Sequence, residues 1–140
     1  MTPLLTTPLP DFDEEGQERG GAVNVQMALL WPVVLLMVFA VVQVGLVFYA
    51  GQLAATAAQE GVRVGRTSPA APVSAAQAQA QQFLARTSGP TLTGVAVTAS
   101  VDPAAATVQV RVTATVVSLV PGLAFPVAAD AIGALEDIRP

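Results

Sequence analysis

The side chains that most often perform catalysis are absent from this chain of 140 residues. It has no histidine, cysteine or lysine, and its charged side chains are ten carboxylates and six arginines. Without these three residue types the chain cannot form the usual pair of a nucleophile and a base. It also lacks the cysteines of a disulfide or a thiolate metal site and any phosphate-binding glycine motif. We therefore expect no enzymatic activity, no cofactor and no small-molecule substrate.

The charged groups do not indicate a ligand either. Asp130, Glu136 and Asp137 lie near the C-terminus; such carboxylates could bind calcium, but keeping the chain end soluble is the simpler interpretation. The net charge is −4, and residues 1–21 account for all of it, because they hold five acidic residues and one arginine. A nucleic-acid partner would call for a basic patch. We expect neither a metal nor a nucleic acid to bind.

A long uncharged stretch dominates the sequence. No charged residue lies between Arg19 and Glu60, and residues 27–50 are almost wholly apolar. At about 1.5 Å per residue this apolar centre makes a helix of about 36 Å, enough to cross a hydrocarbon core of about 30 Å. A helix also satisfies its own backbone groups in lipid. We therefore predict a single membrane-spanning helix, with a lipid membrane as a partner.

A short motif precedes the apolar run. Arg19-Gly20-Gly21 is followed by Gln26, five residues after Gly21, and then by Met27-Ala28-Leu29-Leu30-Trp31-Pro32. This segment resembles the start of the TadE-like family, pilin-like proteins of Tad (tight-adherence) pilus systems, whose members read R-G-x-x-A-V-E-F-A-L-x-x-P. The resemblance continues without a gap to Arg63, through Phe39, Gly45, Tyr49 and the segment Glu60-Gly61-Val62-Arg63.

The resemblance implies a function in assembly. A prepilin peptidase would cut between Gly21 and Ala22, so that the mature protein begins at Ala22. The protein would then be a minor pilin or pseudopilin of a Tad-type, type IV pilus-like structure for adhesion or secretion, with other pilin subunits as partners. It would cross the cytoplasmic membrane once, with an extracytoplasmic C-terminal domain, and could enter an extracellular pilus.

Two positions depart from the family pattern. The family has glutamates where this chain has Gln26 and Gln43. In pilin-like proteins the first carboxylate is thought to pair with the N-terminal amine of a neighbouring subunit, whereas glutamine can only accept a hydrogen bond from it. An ionised carboxylate in lipid is unfavourable unless it is paired, so glutamine lowers both the penalty in the membrane and the gain on assembly. We infer a subunit that is less committed to bulk polymerisation.

The candidate assembly residues are Gln26, Pro32, Gln43, Gly45, Glu60 and Arg63. Simpler interpretations exist for some of them. Gln43 could bond to another helix or to its own backbone, and Pro32 could simply kink a membrane helix. An alternative function is accordingly an uncleaved, single-pass membrane anchor or scaffold whose exported domain binds a partner.

The charges that flank the span disagree with the family about topology. Arg19 precedes the span, whereas Arg63 and Arg66 follow it, so a count of arginines would place the C-terminus in the cytoplasm. The family places the C-terminus outside. We follow the family, because a difference of one arginine is a weak signal and both later arginines lie well beyond the apolar centre.

Beyond the span the pattern first remains helical. Gly65, Pro69 and Pro72 predict the end of the long helix. Residues 67–73 then form a linker. Ser74 and Gln77 have the spacing of a capping box for a short helix over residues 75–86.

The C-terminal part changes to an alternation of apolar and polar residues. Residues 95–101 and 107–116 predict two antiparallel strands around a turn at 102–106. Residues 120–126 read as an apolar loop and residues 127–135 as a third strand with Asp130 facing outward. A lone hairpin is marginal in water, so the third strand and a helix would have to cover it.

Together these patterns predict an α+β protein: a long N-terminal transmembrane helix, a short helix and a small antiparallel β-hairpin or three-stranded sheet. The predicted boundaries are a disordered acidic leader over residues 1–21, a transmembrane and projecting helix over residues 22–66, and a small extracytoplasmic domain over residues 67–140.

Overall fold

The computed structural model of the protein describes residue 3 and residues 14–136. Its elements are α1 (Glu14–Arg66), α2 (Pro72–Thr87), a short 3-10 helix (Gly89–Thr91), β1 (Leu92–Asp102), β2 (Thr107–Val116) and β3 (Phe125–Ala134). The three strands form one antiparallel sheet in the order β1-β2-β3. The predicted α+β class is confirmed. By its internal contacts the chain divides into two units, residues 1–40 and residues 41–140.

The long helix begins earlier than the sequence predicts. α1 starts at Glu14, not at Ala22, and continues through Gly20, Gly21 and Pro32. Acidic residues open it, and negative charge is favoured at a helix N-terminus by the helix dipole. The predicted leader boundary at residue 21 is therefore not marked by a helix end. The rest of the predicted disordered leader, apart from residue 3, lies outside the described residues.

The end of α1 at Arg66 agrees with the prediction, but the start of α2 does not. α2 begins at Pro72, and its N-cap residue is Ala71, whose methyl side chain cannot accept a hydrogen bond from the first turn of the helix. The capping box predicted at Ser74 is wrong, because Ser74 lies inside the first turn and donates its Oγ hydrogen bond back to the Ala71 carbonyl at 3.3 Å. Proline is suited to this first position, since its ring presets the helical φ and the missing N–H has no helical partner there.

β2 is the central strand and carries the core. Val108, Val110, Val112, Ala114 and Val116 are buried along one face, as the alternation predicts. The turn between β1 and β2 falls at residues 103–106, and the third strand exists, pairing along the whole of β2. The prediction of a three-stranded sheet is therefore confirmed.

One extra residue in β1 changes which side chains face the core. The register with β2 shifts between Thr93 and Ala96, and Gly94 has a φ of +59°. Such a bulge places two residues of one strand opposite one residue of the other. The alternation over residues 95–101 places Val95 on the same face as the buried Val97. As a result of the bulge, Val95 is exposed instead.

The sheet is covered by the C-terminal half of α1 and by α2. The buried face of α1 is made mostly of small residues: Ala50, Ala54, Ala57 and Ala58 are fully buried, beside the larger Leu53 and Val62. Leu84 is the largest fully buried side chain that α2 contributes. Small residues let the helices approach the sheet and each other closely, so that little bulk is needed to fill the core.

Candidate assembly and anchoring site

Apolar side chains surround α1 between residues 27 and 39. All seven residues from Val33 to Phe39 are apolar, and each is 47–70% exposed. Since a helix has about 3.6 residues per turn, seven successive residues face every direction. A helix that is apolar all round must be covered by lipid or by protein. Among the described residues one helical segment, Gly20–Arg66, is long and apolar enough to cross a membrane by length and composition.

The predicted processing residues lie within this helix. Gly21 and Ala22 are helical and exposed, and a Cβ at Gly21 would meet no atom within 4 Å. Gln26 and Pro32 are also helical and exposed. The structure therefore leaves these four residues accessible to a partner but does not bring them together into a pocket.

Gln43 occupies a different environment. It is 7% exposed, and its side-chain Oε1 accepts a hydrogen bond from the backbone N–H of Leu119 at 2.9 Å. Its Nε2 has no hydrogen-bond partner among the described residues. The sequence left open whether Gln43 takes part in assembly or bonds to another helix or to its own backbone. In the structure its amide oxygen instead holds the loop that follows β2. An unpartnered buried donor is unfavourable by about 1–3 kcal/mol.

The other three candidate residues are exposed or partly exposed. Gly45 is exposed, and a Cβ there would meet no atom within 4 Å. Glu60 and Arg63 form an i,i+3 ion pair, with 3.6 Å between the carboxylate and the guanidinium. An exposed pair of this kind stabilises a helix by a few tenths of a kcal/mol, about 0.2–0.5, so its value to the fold is small.

Arg66 is a structural residue that the sequence did not reveal. Its Nε donates to the Ala134 carbonyl at 2.7 Å, and its Nη2 donates to Glu136 Oε1 at 3.1 Å. The backbone carbonyl of Arg66 accepts from the Glu136 N–H at 3.4 Å. Arg66 thus fastens the end of β3 to the end of α1. The two partners are about 70 residues away along the chain, so no local pattern could indicate the contact.

The outer face of the sheet carries one well-aligned ion pair. Arg111 on β2 and Asp130 on β3 face each other in the strand register, and the guanidinium donates to both carboxylate oxygens at 2.6 and 3.0 Å. The hydrogen bond that Arg111 donates holds the pKa of Asp130 below its ordinary value, and the same hydrogen bond raises the pKa of Arg111. Both groups are exposed, so this is a surface cross-strand pair.

No metal centre is present in the part of the chain that the structure describes. Groups of three or more histidine, cysteine, aspartate or glutamate residues that could hold a metal ion are not found there. Of the acidic group considered for calcium, Asp130 binds Arg111 and Glu136 binds Arg66. Asp137 lies outside the described residues.

Comparison with known families identifies the apolar helix. The family model described as TadE-like protein matches residues 21–63. This segment is TadE-like. The resemblance drawn from the sequence motifs is thereby confirmed over these residues. No curated protein and no solved structure matches the chain.

The TadE-like segment contains all eight predicted processing and assembly positions, from Gly21 to Arg63. The family is structural and pilus-associated, and the match suggests a Tad pilus-associated, pilin-like protein. Together with the apolar helix it also suggests that the protein is anchored in a membrane. The match ends at residue 63, so the sheet lies outside it.

Proposed function

We propose that this protein is a TadE-like minor pilin or pseudopilin. It would be made as a precursor, held in the cytoplasmic membrane by α1 with its sheet domain outside, cut by a prepilin peptidase after Gly21, and incorporated into a Tad-type pilus or secretion assembly. The single observation that carries this proposal is the TadE-like match over residues 21–63. The all-round apolar surface of residues 27–39 supports it, because such a surface suits a lipid bilayer and a bundle of pilin helices equally well.

The structure separates the two glutamines that replace family glutamates. Gln43 is buried, and its oxygen is used inside the chain by Leu119. Gln26 is exposed. We therefore propose Gln26 as the residue that accepts a hydrogen bond from a neighbouring subunit, and Gln43 as a residue that shapes its own domain. Without a carboxylate at position 26 there is no ion pair across the interface, which fits a subunit present in few copies.

The mass of the mature N-terminus tests processing. The protein is extracted from membranes of a host that has the prepilin peptidase, and its intact mass is measured. We expect a chain that begins at Ala22. Gly21→Leu should leave the leader in place, whereas the matched variant Gly20→Leu, one residue earlier, should still be cut. An intact leader on all of the wild-type protein would refute processing and, with it, most of the pilin proposal.

Incorporation into filaments tests the role of Gln26. Restoring the family carboxylate with Gln26→Glu should increase the amount of protein recovered in sheared filaments, because an ion pair with a neighbour's N-terminal amine becomes available. Gln52→Glu is the matched control, since it adds the same charge to an exposed position of the same helix. Equal recovery of wild type and Gln26→Glu would show that position 26 does not contribute to docking.

One observation favours the alternative of an uncleaved membrane anchor. The bond between Gly21 and Ala22 lies inside a helix that runs from Glu14 to Arg66. If the leader stays attached, the exported sheet domain becomes the functional part, as a binding or scaffold module. The same mass measurement distinguishes the two functions, because the anchor keeps all residues of the leader.

A further inference from the structure

The loop between β2 and β3 lies against the apolar helix. We define the apolar loop as residues 117–123. The hydrogen bond from the Leu119 N–H to Gln43 Oε1, 2.9 Å long, holds the loop beside α1 at the level of residue 43. The residues on either side of Gln43 in α1, Val42 and Val44, are apolar and exposed. Loop and helix therefore present neighbouring apolar surfaces.

The composition of the apolar loop suits a nonpolar environment. Its large side chains are 43–53% exposed; they are Val117, Leu119, Val120 and Leu123. The chain carries no charged residue from Val112 to Ala129. The nearest charges on the sheet, Arg111 and Asp130, are paired five residues before the end of β2, or about 17 Å away along the strand.

Most backbone N–H groups of the apolar loop donate hydrogen bonds inside the protein. Val117 N–H donates to the Thr91 carbonyl at 3.0 Å, and Leu123 N–H donates to the Val120 carbonyl at 3.3 Å. Val120 N–H donates to Ser118 Oγ at 3.1 Å, and Leu119 N–H donates to Gln43. Pro121 has no N–H to satisfy. Unpaired backbone N–H and C=O groups keep irregular segments out of the hydrocarbon core. With most of its donors paired, this loop suits the membrane interface, where its carbonyls can still meet water and headgroups.

The position of the apolar loop along α1, beside Gln43, coincides with the expected edge of the hydrocarbon core. Residues 20–42 carry no charge and already exceed the about 20 residues that a membrane span needs. A hydrocarbon edge near Gln43 would put the apolar loop at the boundary with the headgroups. Tyr49, which is 49% exposed, would then lie about 9 Å further along α1, in the headgroup region where tyrosine is favoured.

We propose that the apolar loop enters the interface of the lipid bilayer beside α1, so that the sheet domain contacts the membrane through two elements. The occupant of this surface is lipid, because the loop continues the apolar surface of the helix predicted to span the membrane. Gln43 is the positioning residue: its amide oxygen sets the depth of the loop. The proposal depends on the membrane span and holds whether or not the leader is cut, so it goes beyond the pilin function.

Depth-dependent quenching tests the proposal in the full chain. The protein has no cysteine, so single cysteines can be introduced at Leu119, Leu123 and, as a control, Ala105 in the exposed turn between β1 and β2. Each is labelled with the same environment-sensitive fluorophore after reconstitution into phosphatidylcholine–phosphatidylglycerol vesicles. Leu119→Cys keeps the backbone N–H that bonds to Gln43, so the loop stays in place.

We expect the fluorophore at residues 119 and 123 to emit at shorter wavelength than at residue 105, and to be quenched more by a nitroxide near the headgroup than by one near the bilayer centre. Equal emission at all three positions would overturn the proposal. So would a wavelength shift that disappears when the protein is diluted to one chain per vesicle, because a second copy would then cover the loop. Adding Gln43→Ala to the Leu119→Cys variant should reduce the shift.

Discussion

The close packing of α2 on α1 leads to a sharp prediction at Gly61. A Cβ built at this residue would lie 2.8 Å from the Ala76 carbonyl oxygen, 3.2 Å from the Ala80 Cβ and 3.4 Å from a methyl group of Val110. The nearest atom belongs to the backbone of α2, so it cannot rotate away as a side chain would. Gly61→Ala must therefore push α2 away from α1 or distort the helix.

A matched variant separates the steric effect from helix propensity. At Gly51, in the same helix, a Cβ would meet no atom within 4 Å. Replacing glycine by alanine inside a helix stabilises it by about 0.8–1 kcal/mol, and overpacking a close-packed site costs about 1–3 kcal/mol. Gly51→Ala should thus gain about 1 kcal/mol, whereas Gly61→Ala should lose up to about 2 kcal/mol. The difference between the two variants, about 1–3 kcal/mol, isolates the clash.

Hydrogen exchange of the β2 amides measures this difference. The amides of Val108, Val110 and Val112 belong to the central strand, so their slowest exchange reports opening of the whole domain in detergent-solubilised full-length protein. We expect faster exchange in Gly61→Ala and slower exchange in Gly51→Ala. Equal shifts in the same direction in both variants would refute the argument that the helix–helix distance is set by the absence of a side chain at residue 61.

Three further predictions concern the core, the surface ion pair and the topology. Leu84→Ala removes the largest fully buried side chain of α2 and should destabilise the domain by about 2–5 kcal/mol. Ile132→Ala, at a side chain 64% exposed, should change the stability by no more than about 0.5 kcal/mol. Similar free energies of opening for the two variants, measured by hydrogen exchange of the β2 amides, would contradict the assigned core. Arg111→Gln removes the guanidinium hydrogen bond that lowers the pKa of Asp130, so that pKa should rise toward 3.8 in a carbon-13 carboxyl titration. In the wild type the stabilisation by this pair is present above pH 3.8 and is lost as the pH falls through the lowered folded-state pKa of Asp130. An unchanged titration of Asp130 in the variant would show that the pair does not form in solution. Ala105→Cys should react with a membrane-impermeant maleimide added outside intact spheroplasts, whereas a labelled product that appears only after lysis would reverse the proposed topology.

Much of the architecture follows from local patterns in the sequence. The charge-free interval from Arg19 to Glu60 predicts a long apolar helix because its length and composition suffice, without any tertiary contact. The alternation along residues 107–116 predicts which valines are buried because side chains of a strand alternate between its two faces. The TadE-like motif was recognisable for a similar reason, since it is a contiguous run of residues at fixed spacing.

The places where the sequence prediction failed involve contacts between distant segments. Ser74 has the local pattern of a helix cap, but the helix starts three residues earlier than predicted, at Pro72, and packs on α1 through Ala76 and Ala80. Val95 follows the alternation of its neighbours, yet the bulge at Gly94 turns it away from the core. In both cases the local signal was real, and the surrounding packing selected another arrangement.

Gln43 shows the same division most clearly. As one polar residue in an apolar run it could equally have contacted another helix, its own backbone or a neighbouring subunit. Its partner, the Leu119 N–H, lies 76 residues away along the chain, and only the closure of the sheet on α1 brings the two together. Periodicity and composition act over a few turns or strand positions, so they determine the helices, the strands and their buried faces; long-range packing decides which polar group each buried side chain meets.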